Sequence, residues 1–223
     1  IGLATALTWQ FEFEEAERLY ERAGRRIEAH GLGLLRGVVD SNRGQLEMHR
    51  GRYAPALRWL TSSLAAYEAH GLPARVAEAR RELADAYLAL NLLPEAVALY
   101  DRAIAECHAA GASVDEAWAR VQRARALARD GYSSEAASGL TQARALFESQ
   151  HHALGTAMVD FAAAAIAMLT NNGALARPSA LRAAAAFDAA AITGWTLEAQ
   201  LIVAQCDVLA RRWPQAGQAF EAI

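Results

Sequence analysis

Glu28-Ala-His-Gly-Leu32 stands in the chain a second time as Glu68-Ala-His-Gly-Leu72, forty residues on. A string repeated at such a distance sets a period, and the rest of the sequence keeps it. Steps of forty from Ala16 reach Ala56, Ala96, Ala136, Ala176 and Ala216. Twelve residues before each of these anchors stands another small residue: Ala4, Gly44, Ala84, Ala124, Ala164 and Ala204. Large side chains hold the same register. Phe13, Tyr53, Leu93 and Trp213 lie three before the anchor, and Tyr20, Leu60, Tyr100, Leu140 and Phe220 four after it. Ala23, Ser63, Ala103, Ala143, Ala183 and Ile223 follow at seven. The fourth repeat has Ser133 in the first of these columns, and the fifth departs in both, with Gly173 and Ala180.

Small residues seven apart, with large ones between them at three or four, form one stripe of a 3.6-period helix. FEFEEAERLYERA, GRYAPALRWLTSS and LLPEAVALYDRAI share that pattern, and each follows another helical stretch such as EARRELADAYLAL. The connections are short and carry Gly51, Asn91, Asp130-Gly131 and Asn171-Asn172-Gly173, residues suited to left-handed helix caps. Pro55, Pro94 and Pro214 fall near the start of second helices and Pro73 near the start of a first, where a missing N–H costs little. Pro178 lies two residues past its anchor, which predicts a longer turn and a late start for that helix. No stretch alternates as a strand would. A single helix pair cannot bury its own apolar stripe, so the pairs are expected to stack, each on its neighbours. The expected fold is all-α: a right-handed α-α superhelix of helix hairpins. It forms one solenoid of about five and a half repeats over 1–30, 33–70, 73–110, 113–150, 153–192 and 195–223.

Composition closes off other classes. The 223 residues carry 22 basic and 25 acidic side chains for a net charge of −3, and every basic one is Arg. That balance leaves no continuous basic face for nucleic acid. The longest apolar run, nine residues from Phe161 to Leu169, is too short for a membrane span. The chain opens without an initiator Met or a signal peptide and stops within a helical pattern, as a segment of a longer protein would. Cys107 and Cys206 read as buried free thiols, which fits the cytoplasm, and the Ala- and Arg-heavy usage fits a bacterial source. Catalytic chemistry finds no footing. His30 and His70 share a repeat column at helix ends and read as partners of the last carbonyls. His151 and His152 are adjacent and diverge on a helix, Cys107-His108 has no second pair, and carboxylates such as Glu14-Glu15 lie on solvated faces. No catalytic residue, metal ligand or cofactor is therefore expected.

The columns resemble the tetratricopeptide repeat. Leu83-Ala84 with Tyr87 match the Leu-small pair and later aromatic of that family's first helix. Gly51, Tyr53, Ala56, Leu60 and Ser63, and Ala96, Tyr100 and Ala103, match its second helix. The period of forty exceeds the usual 34 and implies longer helices; HEAT and armadillo repeats also run near forty, but the small-residue columns resemble the tetratricopeptide family more. ADAYLALNLLPEAVALYDRA and RGRYAPALRWL are similar to arrays that precede CHAT domains, the caspase-like peptidase modules of bacteria, though no catalytic segment of that kind is present.

The resemblance implies that first helices line a concave groove. Projection onto that face gives Asn42, Gln45 and His49 in the second repeat, then Arg81, Glu82 and Asp85, then Trp118, Gln122, Arg125 and Arg129. The fifth and sixth repeats place apolar residues there: Met158, Phe161, Met168, Leu169, Leu201 and Ile202. Such a patch marks a contact, either with the rest of the chain or with a partner. The Lys and Asn pattern of chaperone-tail clamps is not reproduced. The expected function is a protein-protein interaction scaffold that binds a protein or peptide in its groove and regulates a linked effector domain, such as a CHAT peptidase. The alternative is the ligand- or peptide-sensing arm of a large bacterial transcriptional activator. Expected partners are a protein or peptide and the rest of the chain, with no nucleic acid and no membrane, and edge-to-edge self-association of the cut segment.

Overall fold

The computed structural model describes residues 1–221; Ile223, last of the columns above, lies outside the described residues. Those residues form helices joined by short turns, with no strand among them. Two compact units divide the chain, the first Ile1–Gly111 and the second from Ala112 onward. In the first unit, α1 (Gly2–Trp9), α2 (Phe13–Ala29), α3 (Gly33–His49), α4 (Tyr53–Ala69), α5 (Pro73–Ala89) and α6 (Leu93–Ala109) each pack on the next. The second repeats the arrangement with α7 (Ser113–Arg129), α8 (Ser133–Ser149), α9 (Ala153–Leu169), α10 (Gly173–Ala189), α11 (Thr193–Leu209) and α12 (Trp213–Glu221). Within a unit the first helices of successive pairs also touch: α1 meets α3, and α9 meets both α7 and α11.

The period of forty comes from uniform parts. From α2 to α11 every helix is 17 residues long. Each is followed by a three-residue turn whose middle residue is left-handed. The amide after that residue returns to a carbonyl in the last helical turn. Arg52 N donates to Glu47 O at 2.8 Å and Tyr132 N to Leu127 O at 2.8 Å, the paired closure that satisfies a helix C-terminus. Gly51 and Gly131 hold the left-handed position without strain (φ +70° and +92°), whereas Ala191 holds it at φ +55° with a Cβ in the way. Ala191→Gly is therefore expected to raise stability by about 0.5–1 kcal/mol, the relief of strain exceeding the added chain entropy. A urea midpoint no higher than the parent's would contradict it.

Pro178 does not delay its helix. α10 begins at Gly173, on schedule, and carries Pro178 inside it. The start is fixed by Asn172, whose side chain accepts the Leu175 amide at 3.2 Å. Gly173 is thus the first helical residue and the left-handed one is Asn171. Capping and the uniform turn override one missing amide.

The small columns are where helices meet. Ala16, Ala56, Ala96, Ala136 and Ala176 are fully buried and Ala216 is 3% exposed. Ala4, Gly44, Ala84, Ala124, Ala164 and Ala204 are buried too. Gly44 shows why size matters, since a Cβ there would stand 2.6 Å from the Leu60 side chain of α4. Of the large column, Tyr20, Leu60, Tyr100 and Leu140 are buried. In the fifth repeat Ala180 takes that place, and Ile202, Val203 and Cys206 of α11 with Phe161 and Met168 of α9 fill the space.

Buried carboxylates add cross-ties. Asp160 of α9 takes Arg144 of α8 at 2.8 Å and Arg182 of α10 at 2.6 Å, so one side chain links three helices. Asp207 of α11 takes Arg177 of α10 at 2.9 Å and Arg212 at 2.8 Å. Burial alone would raise the Asp207 pKa, but the two guanidinium groups outweigh it and hold it below the usual aspartate value. A carboxyl depressed in the folded state stabilises above its unfolded pKa, and that contribution fades as pH falls through its folded pKa. Asp207→Asn is expected to cost about 1–2 kcal/mol at neutral pH, both arginines being partly solvated. The gap to the parent closes below about pH 4. A gap that holds constant down to pH 3 in denaturant titrations would refute the ion-pair origin.

Candidate functional site

In the first unit three successive first helices bring their side chains to one open pocket of about 340 Å³. Asn42, Gln45 and His49 come from α3, Arg81, Glu82 and Asp85 from α5, and Thr5, Thr8 and Trp9 from α1; Tyr20 of α2 completes the wall. The six residues projected from the second and third repeats thus line a single cavity. Residues of α1 were missed because the projection began one repeat late. The columns of Gln45 and His49, carried back forty residues, land on Thr5 and Trp9.

The pocket is built by cross-helix hydrogen bonds. The Thr5 hydroxyl donates to Asn42 Oδ1 at 3.0 Å and lies 3.1 Å from the Tyr20 hydroxyl, while Asn42 Nδ2 donates to Val38 O at 2.7 Å. Ser41 donates to Glu82 Oε2 at 2.7 Å and joins α3 to α5. Arg81 Nη1 reaches Asp85 Oδ2 at 3.1 Å, and the Tyr100 hydroxyl donates to Asp85 Oδ1 at 2.5 Å. At the rim the exposed Trp9 ring stands edge-on to His49, centroids 5.0 Å apart. Burial pushes the Glu82 carboxyl above the usual glutamate range, against the opposing pull of Ser41 and Arg81.

The projected residues of the second unit have different surroundings. Trp118 is half-buried with its ring 5.2 Å from that of Phe147, a core contact. Arg125 Nη1 donates to Gln122 Oε1 at 2.8 Å on the surface of α7, and Arg129 is exposed one turn on. The apolar set divides as well. Met158 and Phe161 pack around Phe187, Phe161 and Met168 around buried Ile202, and only Leu169 and Leu201 are exposed. Periodicity could not separate these from groove residues, because α9 is apolar nearly all round.

The histidines are structural in two cases. His70 Nδ1 lies 2.7 Å from Ala66 O at the end of α4. His152 caps α9, its Nδ1 accepting the Gly155 amide at 2.9 Å. Among the described residues no group of three His, Cys, Asp or Glu is placed to hold a metal, and no helix is long and apolar enough to cross a membrane.

A tetratricopeptide repeat family profile matches residues 2–30. A search of curated proteins gave no match. Among solved structures, aspartyl phosphate phosphatase F of Bacillus subtilis superposes with a TM-score of 0.80 at 11% identity, over 99% of this chain and 57% of its own. A Rap protein complexed with competence and sporulation factor gives 0.78 at 14%, over 99% and 73%. BtubC (BKLC) from P. vanneervenii gives 0.71 at 14%, over 96% and 88%. The fold is tetratricopeptide-like. At such identities the likeness is one of architecture, and it extends beyond the profile match to helix pairs that the sequence columns alone had grouped. Tetratricopeptide-like packing also accounts for the pocket, since it sets first helices side by side within a unit.

Proposed function

We propose that the chain is a protein-interaction module that seats an extended peptide on the first-helix face of its first unit. The observation that carries this reading is the pocket itself. Three successive first helices each contribute residues one helical turn apart, so side chains of an extended ligand meet a new set of polar groups at each helix. The solved Rap protein complexed with competence and sporulation factor supports a ligand on a similar fold. The polar groups of the pocket already have partners that hold them in place: Thr5 on Asn42, Ser41 on Glu82, and Arg81 and Tyr100 on Asp85.

Selection of a random peptide library on the immobilised chain tests the proposal. Gln45 lines the pocket and is half-exposed, so Gln45→Trp should fill the space without disturbing a core contact. Enriched peptides are expected to lose at least tenfold in affinity for Gln45→Trp while its melting temperature stays that of the parent. Undiminished binding to that variant, or a library that yields no binder, would overturn the reading.

A further inference from the structure

The charges around the pocket are not balanced one against another. Arg81 is the one arginine of its lining, and its guanidinium is turned to Asp85, which also accepts the Tyr100 hydroxyl. Glu82 has a different surrounding. Its carboxylate accepts a neutral hydroxyl, from Ser41, and forms no salt bridge among the described residues. Burial pushes its carboxyl upward, and the Ser41 hydroxyl and the charge of Arg81 only partly offset it. Every other buried acid described above, Asp160 and Asp207, has two arginines. Of the two carboxylates that line the pocket, Asp85 holds Arg81, and Glu82 is left without a salt bridge of its own among the described residues. Trp9 lines the same pocket, exposed and edge-on to His49, an aromatic surface of the kind that stacks on cations.

We infer that this pocket seats the cationic end of a basic side chain of the bound peptide, with Glu82 as counter-ion and Trp9 as stacking wall. The inference rests on the groove reading above and specifies its ligand. A guanidinium or ammonium entering here gives Glu82 the ion pair it lacks, and Ser41 keeps the carboxylate aimed while the pocket is open. An acidic side chain would meet Glu82 and Asp85 and be rejected.

The test uses the peptides enriched on the parent chain and a double-mutant cycle read by fluorescence anisotropy. These peptides are expected to share an Arg or Lys. Replacing it by citrulline or norleucine should weaken binding at least tenfold. Glu82→Gln, which preserves shape and the Ser41 bond, should weaken the basic peptide at least tenfold and leave the neutral one within twofold. Peptides without a common basic residue, or equal losses from Glu82→Gln for both peptides, would overturn the inference. If those same peptides still fail to bind Gln45→Trp, the groove reading survives that failure; if the library yields no binder, both fall together.

Discussion

Phe147→Ala is expected to destabilise the chain by about 3–5 kcal/mol, as large truncations at closed sites do. Phe147 lies in the last turn of α8 and has no exposed surface. The Trp118 ring of α7 meets it at 5.2 Å and the His152 ring at 5.3 Å. From the third side comes Gly155 of α9, so close that a Cβ there would lie 2.3 Å from the Phe147 ring. One side chain thus joins three helices. The void left by Ala cannot close, because α9 is held by the His152 cap and by Asp160 with its two arginines. Phe147→Leu, which keeps most of the volume, should cost about half as much or less. Denaturant titration measures both, and a loss under about 1 kcal/mol for Phe147→Ala would mean that this packing does not hold α7, α8 and α9 together.

How much of this was legible in the sequence depends on how narrowly each position is constrained. Ala16, Ala56, Ala96, Ala136, Ala176 and Ala216 lie where helices cross, where only a small side chain fits, so the period shows in the letters themselves. The column of Phe147 did not stand out. It runs Ile27, Tyr67, Cys107, Phe147 and Phe187, all buried, but its members vary in size because the facing residue varies: Gly37 makes room for Tyr67 as Gly155 does for Phe147. Such pairs are visible only when both helices are known. Pro178 misled for a related reason, its local preference being weaker than the Asn172 cap and the constant turn. The pocket residues of α3 and α5 were readable because polar side chains on a helix face that should be inside a curve are informative. Trp9 and Thr5 were readable by the same columns, and were lost only by starting the projection at the second repeat. The division into two units at Gly111 left no mark, since the 110–112 turn has the same length as its neighbours and, like them, a left-handed middle residue.

The recurrent alanines underlie both the fold and the pocket, because they set how closely successive helices approach. Ala96 of α6 is fully buried, and Ala98, two residues on along the same helix, is exposed. The two positions share a helix and a residue type and differ in what faces them. Leu in place of Ala is nearly neutral for helix propensity, so the comparison isolates packing. At Ala96 the added atoms have no space and must force the crossing open, at a cost of about 1–3 kcal/mol. At Ala98 they point to water and cost little. The measurement is the pair of urea unfolding curves for Ala96→Leu and Ala98→Leu beside the parent. A midpoint lowered for Ala96→Leu and unchanged for Ala98→Leu is the expected result; equal midpoints for all three would mean that the forty-residue alanine column does not mark where the helices meet.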